Sequence, residues 1–79
     1  MRILYFAQAR LATGRSEEEI ISPEAMSAES LWQRLTQKHP SLLPLQSSCL
    51  LAKNGSLLQP GQTLDPQDEV AVLPPVSGG

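Results

Sequence analysis

The sequence closes on Pro74-Pro75-Val76-Ser77-Gly78-Gly79, and the reactive group this segment presents is a terminal carboxylate. Proline fixes its own φ and pushes the preceding residue to extended conformations, so Leu73, Pro74 and Pro75 favour a stiff, straight course. Gly78 and Gly79 carry no Cβ and can enter a slot too narrow for any other residue. Fully extended, six residues reach roughly 20 Å. The pattern is a stiff arm with a slim tip, suited to presenting an acyl group inside a confined active site. Ser-Gly-Gly is also the composition of a flexible linker, so the rest of the chain has to discriminate.

Other residue types that support chemistry are sparse. Cys49 is the single cysteine, which excludes an internal disulfide framework and a multi-cysteine metal site. A lone cysteine at the start of a strand is most often a small buried hydrophobe. His39, the one histidine, falls at the end of a predicted helix, where a cation complements the helix dipole. Neither has partners at metal-ligand spacing, so no metal is expected. Asp68 and Glu69 are adjacent on a predicted strand and point to opposite faces, so they do not converge on one substrate. No glycine-rich loop resembles a phosphate cradle, and ATP is not expected to bind this chain directly.

Seventy-nine residues make one small domain, with little room for a deep pocket and a full catalytic set. A carrier, binding module or subunit is favoured over a self-sufficient enzyme. The net charge of −2 and the three aromatics Tyr5, Phe6 and Trp32 argue against nucleic acid, which needs a basic stripe or a stacking platform. The apolar opening Ile3-Leu4-Tyr5-Phe6 is too short for a signal peptide or a membrane span. A cytoplasmic protein is the expectation.

The elements that must position the arm follow from periodicity and turn chemistry. Residues 2–7 read as a strand with Ile3 and Tyr5 on one face and Leu4 and Phe6 on the other. Thr13-Gly14-Arg15 supplies a turn. Residues 17–22 read as a second strand, with Ile20 and Ile21 its apolar part and Glu17-Glu18-Glu19 a solvated edge that discourages aggregation. Ser27 caps a helix, with Met26 and Leu31 forming a hydrophobic staple. Ala28, Leu31 and Leu35 share its buried face, Trp32 covers the core rim, and Pro40 ends it. Residues 40–48 read as a loop that folds Leu42, Leu43 and Leu45 back onto the core. Residues 49–53 form a strand, Asn54-Gly55 a hairpin turn, and residues 56–58 the return. Pro60-Gly61 marks another turn. Asp65-Pro66-Gln67-Asp68 fits a type I turn before the last strand at residues 69–73.

The order β-β-α-β-β-β gives an α+β two-layer fold with one main helix on one face of a mixed four- to five-stranded sheet. Pairing the first and last strands at its centre brings Ile3, Tyr5, Val70 and Val72 against Leu31 and Leu35. The other face shows Leu4, Phe6, Ala71 and Leu73. A contiguous apolar patch that leads into the arm is an interface candidate. The body spans residues 1–73 and the tail 74–79.

The opening Leu4-Tyr5-Phe6-Ala7-Gln8-Ala9-Arg10, the Asn54-Gly55 hairpin, Asp68-Glu69-Val70-Ala71 and the Pro74-to-Gly79 ending together resemble the small, sulfur-carrier subunits of molybdopterin synthase. The resemblance covers essentially the whole chain. Gln67 departs from it, standing where that family usually has glycine in the turn. The resemblance implies a β-grasp, ubiquitin-like fold. It implies that a ubiquitin-activating-enzyme-like adenylyltransferase uses ATP to adenylate Gly79, that a persulfide donor converts it to a thiocarboxylate, and that this sulfur passes to a cyclic pyranopterin monophosphate. The implied partner is the large synthase subunit, in a heterotetramer of two small and two large subunits. Phe6, Arg10, Leu57 and Leu73 are the implied docking residues, with Pro74, Pro75 and Val76 along the arm. Strand parity agrees for Phe6 and Leu73 but does not orient Leu57. A sulfur carrier of thiamine or cysteine synthesis, or a protein modifier that captures lysine, would use the same tail chemistry.

Overall fold

A computed structural model of the chain describes residues 1–75. Its elements run β1 (Arg2–Tyr5), α1 (Ala7–Thr13), β2 (Glu17–Glu19), α2 (Ala28–Lys38), a 3-10 turn (Pro40–Leu42), α3 (Leu43–Gln46), β3 (Leu50–Lys53), β4 (Ser56–Leu57) and β5 (Glu69–Leu73). The five strands form one mixed sheet in the order β2-β1-β5-β3-β4. β1 and β5 lie parallel at its centre, with Ile3 opposite Val70 and Tyr5 opposite Val72. The neighbouring pairs are antiparallel. This is the β-grasp arrangement.

Local chemistry accounts for most of these boundaries. Ser27 is extended, and its hydroxyl accepts from the Ser30 amide at 3.1 Å, capping α2. Leu31, Trp32 and Leu35 form the buried face of α2 and pack with Ile3, Tyr5, Val70 and Val72. Trp32 is therefore part of the core rather than its rim. Asn54 and Gly55 take φ of 49° and 88°, the left-handed pair that a tight hairpin with right-handed twist requires. Asp68 N–H donates to the Asp65 carbonyl at 3.0 Å, closing the turn before β5. Gln67 is not among the residues with positive φ, so this turn does not require glycine at that position.

Three further expectations are corrected. The opening strand stops at Tyr5, and residues 7–13 form a helix the strand reading overlooked. Ala7 turns the chain with φ 48°, and the good helix formers Ala7-Gln8-Ala9-Arg10-Leu11-Ala12 follow. Gly14 closes α1 in the left-handed region, its N–H donating to the Arg10 carbonyl at 2.9 Å. The segment at residues 40–48 is a 3-10 turn and a one-turn helix rather than a loop. Leu42 is fully buried and Leu45 packs on the core, whereas Leu43 stays exposed.

The third correction concerns the acidic run. Glu17 and Glu19 are exposed, but Glu18 faces inward opposite Ile3, with its side chain 2% exposed. Tyr5 donates its hydroxyl to Glu18 Oε1. His39 Nε2 lies 2.6 Å from the same oxygen. Lys38 Nζ and Arg15 meet Oε2 at 2.9 and 3.4 Å. Burial alone would raise the Glu18 carboxyl, but hydrogen bonds from Tyr5, Lys38 and His39 outweigh it and hold the group down at about 2. Burial, then the bond to Glu18, pushes the Tyr5 phenol well above its ordinary value. His39 thus has a specific partner beyond the helix dipole.

Candidate functional site

The sheet has one face under α2 and one without a helix. Register decides which residues share the open face. Leu4 lies opposite Ala71, Ala71 opposite Ala52, and Ala52 opposite Leu57. These four form one cross-strand row. One step along, Leu73 lies opposite Leu50, and the Phe6 amide donates to the Val72 carbonyl at 3.4 Å, which carries Phe6 alongside Leu73. Leu57, unoriented by sequence, therefore joins Phe6 and Leu73 on one surface.

That surface is apolar and open. Phe6, Leu50 and Leu57 are 45%, 58% and 52% exposed, although water normally drives side chains of this size inward. At the end where β5 gives way to the tail, Phe6, Leu50, Leu73, Pro74 and Pro75 line a shallow groove, with Ser48 at its side. Pro74 is buried and Pro75 exposed, so the arm leaves from the floor of the patch. The reading of Val76, Gly78 and Gly79 as the delivering end lies outside the described residues.

Charged groups frame the patch. Arg10 stands on the exposed side of α1, around a hollow it shares with Arg2, Leu4 and Phe6. Among the described residues it makes neither an ion pair nor a side-chain hydrogen bond. Arg2 is held between Glu17 at 2.5 Å and Glu69 at 3.8 Å. Leu50 is a patch member that sequence reasoning missed. Its signal was available, because an antiparallel pairing of residues 49–53 with β5 sets it beside Leu73.

The remaining candidates lie elsewhere. Cys49 is half-buried, its thiol pushed up by desolvation. It lines a separate hollow with Trp32, Leu51 and Leu58. Asp68 is buried and accepts from the Asp65 amide and from Asn54 Nδ2, at 2.7 and 2.9 Å. These bonds, the Asp65 amide first, hold its carboxyl below the usual range. Glu69 points to the open face, so the two acids diverge. Among the described residues no group of three His, Cys, Asp or Glu side chains could hold a metal ion. Among the described residues no helix is long and apolar enough to cross a membrane.

Fold and surface together define a ubiquitin-like β-grasp domain whose open apolar face runs into Pro74 and Pro75. The chain belongs to the ThiS family, whose model matches residues 3–79. Its relatives include the human molybdopterin synthase sulfur carrier subunit, 34% identical over 82 residues that span 100% of this chain and 93% of the relative. Among solved structures, SAMP1 from Haloferax volcanii superposes with a TM-score of 0.84 at 23% identity, over 100% of this chain and 98% of that one. A complex of subunits 1 and 2 of the molybdopterin-converting factor from Helicobacter pylori contains a chain that matches with a TM-score of 0.68 at 22% identity, over 99% and 96% of the two chains. At such identities these two structures bear on the fold.

Proposed function

We propose that this chain is the sulfur-carrier subunit of a molybdopterin synthase, with Gly79 as its chemical site. The observation that carries the reading is the open apolar face that continues into Pro74 and Pro75. It occurs in a chain whose 34%-identical relative is a sulfur carrier subunit of that synthase.

A carboxylate is a poor electrophile. In the proposed cycle a Gly79 carboxylate oxygen attacks the α-phosphorus of ATP on an activating adenylyltransferase and pyrophosphate departs. The terminal sulfur of a donor persulfide then attacks the acyl carbon and the C–O bond to AMP breaks, giving an acyl disulfide. A second thiol attacks the donor's sulfur, the S–S bond breaks, and a thiocarboxylate leaves while the two thiols end as a disulfide. The large subunit accepts the arm, the thiocarboxylate sulfur attacks the cyclic pyranopterin monophosphate, and hydrolysis restores the carboxylate. A dithiolene needs two sulfurs, so two charged carriers serve each pterin, which suits two small and two large subunits per assembly. The body contributes docking: Phe6, Leu50, Leu57 and Leu73 desolvate against the partner, and Arg10 offers it a guanidinium that has no ion-pair partner among the described residues. Both partner sites must exclude water around a hydrolysable acyl group. The stiff Pro74-Pro75 stem and slim Gly78-Gly79 end suit a narrow entrance, and preset stiffness lowers the ordering entropy of insertion.

The test is intact-mass spectrometry after incubation with an activating enzyme, ATP and a persulfide donor. Replacement of one oxygen by sulfur at Gly79 is expected. Its absence with an activating enzyme that charges a known carrier would overturn the reading. A second reading, a protein modifier, has the likeness to archaeal modifier proteins in its favour. It calls for Gly79–lysine isopeptides in cell extract that survive denaturation.

A further inference from the structure

An activated glycyl end is open to attack by any amine, including those of other copies of the carrier. The chain has two lysines, Lys38 and Lys53, and four arginines, Arg2, Arg10, Arg15 and Arg34. Guanidinium groups stay protonated and do not attack acyl carbon. Both lysines are engaged. Lys38 Nζ, on a side chain 50% exposed, donates to the buried carboxylate of Glu18 at 2.9 Å, and that carboxylate is fixed in turn by Tyr5 and His39. Lys53 Nζ donates to the Thr63 carbonyl at 2.9 Å, lies 3.7 Å from Asp68, and its side chain is 26% exposed. The Met1 nitrogen donates to the Ile20 carbonyl at 2.8 Å in a buried position.

We propose that these contacts withhold the carrier's own amines as acyl acceptors, which leaves the activated Gly79 end to sulfur. The proposal rests on the reading of Gly79 given above. The reaction avoided is isopeptide formation. A lysine nitrogen would attack the Gly79 carbonyl carbon, a C–N bond would form, the C–O bond to AMP would break with its electron pair, and the ammonium proton would pass to solvent. To react, Lys38 must first leave its charge-assisted bond, stripping a cation from a carboxylate that burial has already desolvated. Lys53 must break the Thr63 bond and leave Asp68. The persulfide of a partner meets no such barrier.

Two measurements on the full chain test this. In the first, an acetyl N-hydroxysuccinimide ester is added and site-specific acylation is followed by peptide mapping. The Ser41→Lys variant supplies an exposed reference lysine on the 3-10 turn. Lys38 and Lys53 are expected to acylate about tenfold more slowly than that reference, the effect of one charged hydrogen bond that must open first. Rates equal to the reference overturn the proposal. The folded Glu18→Gln variant, checked by circular dichroism, should acylate faster at Lys38, and an unchanged rate there removes Glu18 as the restraint. If that variant does not fold, the reference comparison still decides.

In the second measurement the chain carries a Gly79 thioester of a small thiol and is incubated alone. Wild type should stay monomeric while Ser41→Lys forms isopeptide-linked dimers. Wild-type dimers joined through Lys38 or Lys53 at a comparable rate overturn the proposal. Failure of Gly79 to accept sulfur in the activation assay would remove the carrier reading and leave these rates untouched, so the two failures are distinguishable.

Discussion

Glu18→Gln removes one charge from the inside of the domain while keeping a side-chain oxygen that can still accept from Tyr5. In the native state the Glu18 carboxyl is held at about 2, against 4.5 for the free group. Each unit of such a shift corresponds to about 1.4 kcal/mol, so the ionised carboxylate contributes roughly 3 kcal/mol near neutral pH. The sign is that of a depressed acid. The contribution is complete above pH 4.5 and is lost as pH falls toward 2. Breaking a buried charged cluster by removing one member costs roughly 3–5 kcal/mol in other proteins, in line with the linkage figure.

Glu18→Gln should therefore lose about 3 kcal/mol at neutral pH, which for a domain this small lowers Tm by roughly 10–20 °C. It should also lack the wild-type loss of stability between pH 4.5 and 2. Urea titrations followed by circular dichroism at several pH values measure both. Parallel stability-against-pH curves for the two proteins would refute the reasoning even if the variant were less stable, because the loss would then arise from packing rather than from ionisation.

Phe6→Asp and Leu57→Asp should each weaken capture of the large subunit by about thirtyfold, roughly 2 kcal/mol. Tm should barely change, since both side chains are near half exposed; binding by calorimetry and a thermal melt separate the two effects. Asn54→Ala should cost about 2 kcal/mol in urea unfolding, through loss of the bonds to Asp68 and from the Glu69 amide, both 2.9 Å, and a φ of 49° that alanine tolerates poorly. One residue added after Gly79 should abolish thiocarboxylate formation by mass spectrometry and leave the melt unchanged.

What the sequence made legible was what neighbouring residues determine. Alternation in residues 69–73, the Asn54-Gly55 turn and the Ser27 cap each depend on a few adjacent positions, and each appears in the structure. Where distant residues decide, the reading failed. Glu18 looks like the middle of a solvated run, because its neighbours are acidic and its partner His39 lies 21 positions away. Leu57 needs the β3–β4 register before it has a face. The helix at residues 7–13 was hidden by an apolar opening that runs smoothly from strand into turn; the break is a positive φ at Ala7, which no alanine announces. For the tail the sequence offers composition alone: Pro-Pro bears on stiffness and Gly-Gly on slimness whatever surrounds them, and the last four residues lie outside the described structure.

The proposed docking face and the start of the tail are coupled through a single strand. β5 contributes Ala71 and Leu73 to the open face and runs into Pro74 with no intervening loop. Its register therefore fixes two things together, the face Leu73 presents and the direction in which the stem leaves. A slip of one residue would turn Leu73 into the core and Val72 outward. At the start of β5, Asn54 is bonded both to Asp68 and to the Glu69 amide, which pins the strand to the hairpin beside it. Leu50 opposite Leu73 and Leu51 opposite Val72 continue the pairing toward the stem. The course of the chain into Pro74 and Pro75 is thus set by hydrogen bonds that begin some five residues upstream, roughly 16 Å away. A loosened Asn54 clip should consequently impair delivery of the tail more than it impairs binding of the face, because apolar contact tolerates small rotations that a narrow entrance does not.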